Sequence, residues 1–503
     1  MRNLVVCCDG SWATMDLQQN GILCPTNVAR LYHAVDDSKK EEVLKYYHPG
    51  VGTEGGWWAR LRGGVVGAGL DKNIMSAYNW LAEHYKPQDN IFIFGFSRGA
   101  YTARSLAGMV SICGLIDFSA IEDDIDERWK AVESVFRSYR QGKPSTQYPF
   151  IPGVRIHFLG VWDTVGALGI PDNYVILSLL FNRAKRYRFH NTNLSTIIDH
   201  ARHAVALDEK RASFTSTLWT PLIPLGCDVK QTWFPGGHGD VGGGCLERGL
   251  SDGALLWMIK EAEQLKLPFK EDMKKQITPD PKGASHDAVT GISGMIMRTQ
   301  PRSCPYIVED PKQSDLLNLI DNSVVDRQKN PPITLGKYFS SNILAVGGKE
   351  KVVVYVGRHW AETGIYLEKG GIYNFTAQGQ WIIGGKIKCT ADSNKVVFTR
   401  FIFGELLGII ERLFKLVFWD KEWDFFLTKR VENVPWLKLT GVVANAHEPN
   451  PNGTPASPEI FAIGKEHMKY QCKESGYLYC FINDAWDFYN THQGSLKLTV
   501  SRV

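Results

Sequence analysis

The sequence predicts an α/β protein: a mostly parallel sheet flanked by helices over residues 1–330, then an all-β sandwich over 331–503. Three observations predict it. Strand-like apolar runs alternate with helical patterns through the first part. Ile91-Phe92-Ile93-Phe94 leads directly into Gly95-Phe96-Ser97-Arg98-Gly99 and then into helix-forming Ala100–Ala107. After Arg327-Gln328-Lys329-Asn330-Pro331-Pro332, which reads as a linker, the chain changes to short β-runs punctuated by turn residues.

Each element has its own signal. Leu4–Cys8 is an apolar strand that ends on Asp9-Gly10. Thr26 or Asn27 caps a helix through Leu31. Leu70–Tyr85 carries Leu70, Ile74, Tyr78 and Leu81 on one helical face. Ile91–Phe94 and Ile156–Val161 are buried strands, the second ending in Trp162-Asp163-Thr164; Thr232–Phe234 is a short strand and Ala254–Leu265 a helix. Beyond the linker come Val352–Val356, Gly364–Leu367, Tyr373–Thr376, Leu437–Val443, Tyr477–Ile482 and Leu496–Val500, interrupted by a helix-like insertion at Phe403–Phe418.

Bulk properties narrow the function. A chain of 503 residues with 44% apolar content has room for two cores. A net charge of +4 is too small to point to nucleic acid. The ten cysteines contain no C-x-x-C, so no zinc or redox motif is read, and a reducing cytosol is expected. The N-terminal apolar run is too short for a signal peptide, and no clean run of eighteen apolar residues is long enough to span a membrane.

Strand, Gly-x-Ser-x-Gly, helix is the nucleophile elbow of α/β-hydrolases. Serine is a poor nucleophile alone and needs a base, with an acid to orient that base. Such enzymes place them in the order Ser, Asp or Glu, His, each past a strand. Asp163 and His238 fit as acid and base, the latter within Pro235-Gly236-Gly237-His238-Gly239-Asp240-Val241-Gly242-Gly243-Gly244. A second assignment obeys the same order, with Asp240 as acid and His286 as base; otherwise Asp240 caps the loop and His286 is a surface residue. For the oxyanion, the N–H of Arg98 is one donor, and Gly10 or Ser11 in Asp9-Gly10-Ser11-Trp12 supplies the other unless that segment is a plain turn. This chemistry needs no cofactor and no metal.

Six ordered motifs carry a resemblance. They are Cys7-Cys8-Asp9-Gly10-Ser11-Trp12, Pro25-Thr26-Asn27-Val28, Gly95-Phe96-Ser97-Arg98-Gly99-Ala100, Val161-Trp162-Asp163-Thr164-Val165-Gly166, His203-Ala204-Val205-Ala206-Leu207-Asp208-Glu209, and Phe234–Gly243. Together they resemble the α/β-hydrolase domain of bacterial type VI secretion lipase effectors. The resemblance implies phospholipase activity on membrane glycerophospholipids, with the triad on Ser97, Asp163 and His238. It also implies a protein cytoplasmic in its producing cell and exported without a signal peptide, with a secretion spike or adaptor and an immunity protein as partners. Tyr355-Val356-Gly357, Ala377-Gln378-Gly379-Gln380-Trp381 and Ile482-Asn483-Asp484 to Gly494-Ser495-Leu496 resemble the bacterial galactose-specific calcium lectin sandwich. Asp484 is retained, but Thr491 and His492 stand where that family's later asparagine pair falls, so the expectation is a lectin-like sandwich without calcium or sugar binding.

Two segments could meet a lipid surface, though burial is the preferred reading of each: Tyr174–Phe181 with Arg183, Lys185, Arg186 and Arg188 behind it, and Phe403–Phe418. The reading is an antibacterial phospholipase A. The alternatives are an esterase or lipase on neutral or small esters, and a carbohydrate-binding surface protein with a vestigial hydrolase domain.

Overall fold

The computed structural model describes residues 1–10, 13–50, 65–121, 123–166, 193–286, 299–307, 319–332, 338, 341–393, 404–409, 428–445, 449–450, 453–454 and 456–503. The chain forms two compact units. The first comprises 1–288, 308–336 and 449–454; the second comprises 289–307, 337–448 and 455–503.

The first unit is organised by a sheet of seven strands: β1 (Asn3–Cys8), β2 (Val43–His48), β3 (Asn90–Phe96), β4 (Ile156–Trp162), β5 (Ile198–Ala206), β6 (Asp228–Phe234) and β7 (Leu319–Ile320). Their order is β7-β6-β5-β4-β3-β1-β2, and every pairing is parallel. A parallel sheet needs helices on both faces, and the alternating side chains supply two cores. Leu4, Val6, Ile91 and Ile93 pack with Leu70, Ile74, Tyr78 and Leu81 of α2 (Val65–His84) and with Leu106 and Met109 of α3 (Arg98–Cys113). Val5, Cys7, Phe92 and Phe94 face the other way, onto Val28 and Leu31 of α1 (Asn27–Ala34) and onto Leu255, Met258 and Ile259 of a helix over Gly249–Gln264.

Strand order reverses between β1 and β3, and the crevice beyond the carboxyl ends at such a switch point is where open α/β sheets bind ligands. The loops leaving those two strands carry Asp9-Gly10 and Ser97.

The expected elements are present, mostly longer than read. The apolar signal at Ile91–Phe94 marks the middle of β3, and that at Thr232–Phe234 marks the end of β6. Thr26 is the helix cap, its Oγ1 accepting from the Ala29 N–H. The linker reading is corrected, because Asn322–Lys329 is a helix. Arg327 on it is fully buried and donates to the Pro281 and Gly283 carbonyls at 2.7 and 2.9 Å.

The second unit is a β-sandwich. One sheet pairs Asn342–Ile343, Ala361–Leu367, Gly476–Ile482, Leu439–Asn445 and Glu459–Ala462; the other is centred on the long strand His492–Arg502. Ile365, Leu478 and Ile482 from the first sheet meet Phe375, Leu496 and Val500 from the second in one core. Of the helix-like insertion, 404–409 is helical, with Leu406 and Ile409 exposed; its remainder, and the Tyr174–Phe181 segment with its basic run, lie outside the described residues. No helix among the described residues is long and apolar enough to cross a membrane.

Candidate active site

Ser97, the candidate nucleophile, stands at a sharp exit from β3. Ser97 has φ +56° and ψ −123°, a conformation that costs a non-glycine residue about 1–3 kcal/mol. Neighbouring strand ends hold it there: the Ser97 N–H donates to the Trp162 carbonyl (3.1 Å), and the Ser97 carbonyl accepts from Val165 N–H (3.3 Å). The flanking glycines serve close approach. A methyl group on Gly95 would lie 2.5 Å from the Gly99 carbonyl oxygen, and one on Gly99 would strike the Cys8 carbonyl. The end of β1 is thereby pressed against the start of α3.

Asp163 stands at the tip of β4, fully buried, with φ +31°. Its Oδ1 accepts the Ala206 N–H (3.1 Å), and its Oδ2 lies 2.6 Å from His238 Nδ1. The imidazole is itself buried, 4.6 Å from the Phe96 ring and 5.0 Å from that of Phe214. The structure thus brings together the two side chains that the sequence pairs, 75 residues apart, and sets the imidazole against the residue that precedes Ser97.

The loop that carries His238 is held by three carboxylates, one per residue. Gly236 N–H donates to Asp208 Oδ2 (2.7 Å), Gly237 N–H to Asp240 Oδ2 (2.9 Å) and His238 N–H to Glu209 Oε2 (3.1 Å). Burial pushes Glu209 up, but the bonds and charge of Arg211, with His238 beside it, outweigh this and keep its carboxyl below the usual range. Arg211 lies 3.5 Å over Phe214 and so supports the ring that packs on His238. Asp208 and Glu209 had been noticed only as part of a motif. An acidic pair in a loop gives no signal that its partners will be backbone N–H groups.

Asp240 and His286 are also paired, Oδ1 to Nδ1 at 2.6 Å. Asp240 performs the loop-capping role that was its other reading, and it pins the start of the short helix His238–Gly242.

On the other side of the crevice, a methyl on Gly10 would lie 3.4 Å from Ser97 Cβ, which places the loop after β1 beside the nucleophile. The Gly10 N–H donates to Asp9 Oδ1 at 2.7 Å, so among the two expected donors of that loop Gly10 is already engaged; Ser11 lies outside the described residues. Asp9 is buried and also accepts from Thr26 Oγ1 (2.8 and 2.7 Å) and from Tyr47 (2.6 Å). Burial still pushes its carboxyl up to about 6. The Arg98 N–H is in the first turn of α3, where no intrahelical carbonyl can accept it. Asn27 ties this side to the base, donating to the carbonyls of Val241 and Ser251, both at 2.9 Å.

The sequence profile of the family described as type VI secretion, phospholipase effector Tle1-like, catalytic domain, matches residues 2–261. The chain belongs to this family. The matched span takes in Ser97, Asp163 and His238. An uncharacterized protein of Saccharomyces cerevisiae is 30% identical over 246 residues, 44% of this chain and 33% of its own length. The chain therefore spans about a third of that curated relative. Among solved structures, the Tle1 effector bound to the VgrG spike of the type 6 secretion system aligns at 19% identity, covering 48% of this chain and 50% of that one, with a TM-score of 0.29. The EclA N-terminal domain, a PllA-like lectin, aligns at 15% identity over 30% of this chain and 95% of that one, with a TM-score of 0.18.

Proposed function

We propose that this Tle1-like chain is a serine ester hydrolase, a phospholipase A that removes acyl chains from membrane glycerophospholipids. The observation that carries the reading is the Asp163–His238 pair at 2.6 Å, packed on Phe96 next to a strained Ser97. With Nδ1 committed to Asp163, Nε2 of His238 is the nitrogen left to act as base. Ser97 Oγ attacks the acyl carbonyl and its proton passes to Nε2. The same proton then goes to the leaving glycerol oxygen, giving a lysophospholipid and an acyl-enzyme. Water, deprotonated by the same imidazole, releases the fatty acid and restores Ser97. The Arg98 N–H receives the negative charge on the carbonyl oxygen, with Ser11 the remaining donor of the loop after β1 because the Gly10 N–H is held by Asp9; a donor of this kind is worth about 3 kcal/mol. Asp163 keeps the imidazole oriented and stabilises its cationic form.

The family and the likeness to a spike-bound effector support delivery by a type VI apparatus, from the cytoplasm of the producing cell, on a spike or adaptor protein. An immunity protein in the producer would follow from the same biology. The test is incubation with vesicles of mixed phospholipids followed by mass spectrometry. Fatty acid and lysophospholipid in equal amounts, absent with Ser97→Ala, support the reading. Release of a phosphorylated headgroup, or activity retained by Ser97→Ala, overturns it.

A further inference from the structure

Behind the loop that carries His238 lies a second cluster that the proposed hydrolysis does not use. Asp240, Cys245 and His286 present one donor atom each, all within 4.8 Å of one another. Asp240 is buried, while Cys245 and His286 are half-buried, so the cluster is reachable from solvent. Oxygen, sulfur and nitrogen donors together are the set that zinc accepts and that calcium or magnesium do not.

The remaining atoms of these side chains are already fixed in the manner a metal site requires. Asp240 Oδ2 is occupied by the N–H groups of Gly237 and His286 (2.9 and 3.0 Å) and by the Ser285 hydroxyl (3.2 Å), which leaves Oδ1 facing the cluster. His286 Nε2 is 3.0 Å from Glu247 Oε2. A metal-binding histidine typically donates its other ring N–H to a carboxylate, which fixes the tautomer. Here Nδ1 shares a proton with Asp240 Oδ1, 2.6 Å away. Loss of that proton frees an Nδ1 lone pair on the side of the ring where the Asp240 and Cys245 donor atoms lie. Tetrahedral zinc holds such donors at roughly 2.0–2.3 Å, which sets two of them about 3.3 Å apart, so Nδ1 and Oδ1 have to separate by less than about 1 Å to admit it, within reach of side-chain rotation.

We propose that Asp240, Cys245 and His286 form a binding site for a thiophilic divalent cation of the zinc type, oriented by Glu247, which braces the His238 loop through Asp240 without entering the hydrolytic chemistry. Binding displaces the His286–Asp240 proton and the Cys245 thiol proton.

The experiment is titration of the chelator-stripped full chain with cobalt(II), a spectroscopic substitute for zinc. One cobalt per chain is expected, with thiolate-to-cobalt charge-transfer absorption in the near ultraviolet and tetrahedral bands in the visible. Cys245→Ser should lose the charge-transfer band. His286→Gln should weaken binding by roughly 10–100-fold, as loss of a ligand or its orienting partner does. Zinc should raise the melting temperature of the wild-type chain and not that of Cys245→Ser. Absence of cobalt absorption by the folded wild-type chain, or a charge-transfer band that survives in Cys245→Ser, overturns the proposal and leaves the cluster as a carboxylate–imidazolium bridge.

Discussion

The ring of Phe96 lies 4.6 Å from the imidazole of His238. Phe96, the residue before Ser97, is thus a packing surface for the imidazole, and β3 meets the loop after β6 without an intervening layer. Phe96→Leu removes part of that surface while keeping an apolar side chain in the core. Because small misplacements of reacting groups cost up to about 100-fold, kcat should fall roughly 10-fold, with KM nearly unchanged. Labelling of Ser97 by a fluorophosphonate should slow in parallel. Unchanged kinetics in a stably folded Phe96→Leu would show that the contact does not position the base.

The triad makes the strongest prediction. Ser97→Ala should fold normally and lose ester hydrolysis by about 4 orders of magnitude or more, and His238→Ala should do nearly the same, since the members act as a unit. The paired Asp240 and His286 provide the internal control. If His238→Ala keeps most activity while His286→Ala loses it, the base has been assigned to the wrong histidine.

Glu209 tests the carboxylate hold on the loop. Glu209→Gln retains an acceptor for the His238 N–H but loses the charge that binds Arg211. Expected are a kcat lower by roughly 10-fold with KM preserved, and a loss of stability of about 1–3 kcal/mol, the usual range for a disturbed buried hydrogen-bonded group. A KM effect alone would place Glu209 in substrate binding instead.

Asp9 makes stability depend on pH. Its carboxyl is raised from 3.8 to about 6 in the folded protein. Below that window both states hold the proton. Within it the folded state keeps a proton that the unfolded state has released, so stability falls as pH rises. Above about 6 the contribution is fully lost, on the order of 3 kcal/mol. Asp9→Asn cannot ionise, so its melting temperature should gain on the wild type between pH 4 and 7. A difference that stays constant with pH would mean that Asp9 titrates normally.

What the sequence made legible follows from how local each signal is. The elbow is a contiguous pattern, and Asp163 and His238 each follow an apolar strand, so order and spacing pointed to two side chains that the fold sets 2.6 Å apart. The central strand Ile198–Ala206 escaped because Asp199, His200, Arg202 and His203 break its apolar run. The fold absorbs these: Arg202 pairs with Glu261 and Asp228, and His203 Nδ1 lies 3.1 Å from Gln231 Oε1. No local pattern announces partners from two other elements. Val43–His48 escaped for a related reason, since Lys45 interrupts it and is paired with Asp37. In the site itself, the roles of Asp208, Glu209 and Asp240 depend on N–H groups of a glycine-rich turn, and only the folded backbone shows where those point.

The last prediction concerns the sandwich. His492 Nε2 lies 2.9 Å from Asp484 Oδ2, with both side chains fully buried. The other Asp484 oxygen accepts the Ala485 N–H at 2.8 Å, and His492 Nδ1 faces the Val356 carbonyl at 3.2 Å. Asn483 is equally committed, its amide donating to the carbonyls of Val431, Val434 and Pro435. A side chain of this chain therefore takes the place beside Asp484 that a cation would need. A ligand that binds only the folded state must raise its melting temperature, so millimolar calcium should leave the transition of the full chain unmoved. His492→Ala should be costly, about 3–5 kcal/mol, because it strands a buried carboxylate. The double variant Asp484→Asn with His492→Ala should be less destabilised than the sum of the single changes, since the two residues share one interaction. A calcium-dependent rise in melting temperature, reversed by chelator, or strict additivity in that cycle, would show that the pair does not replace a cation.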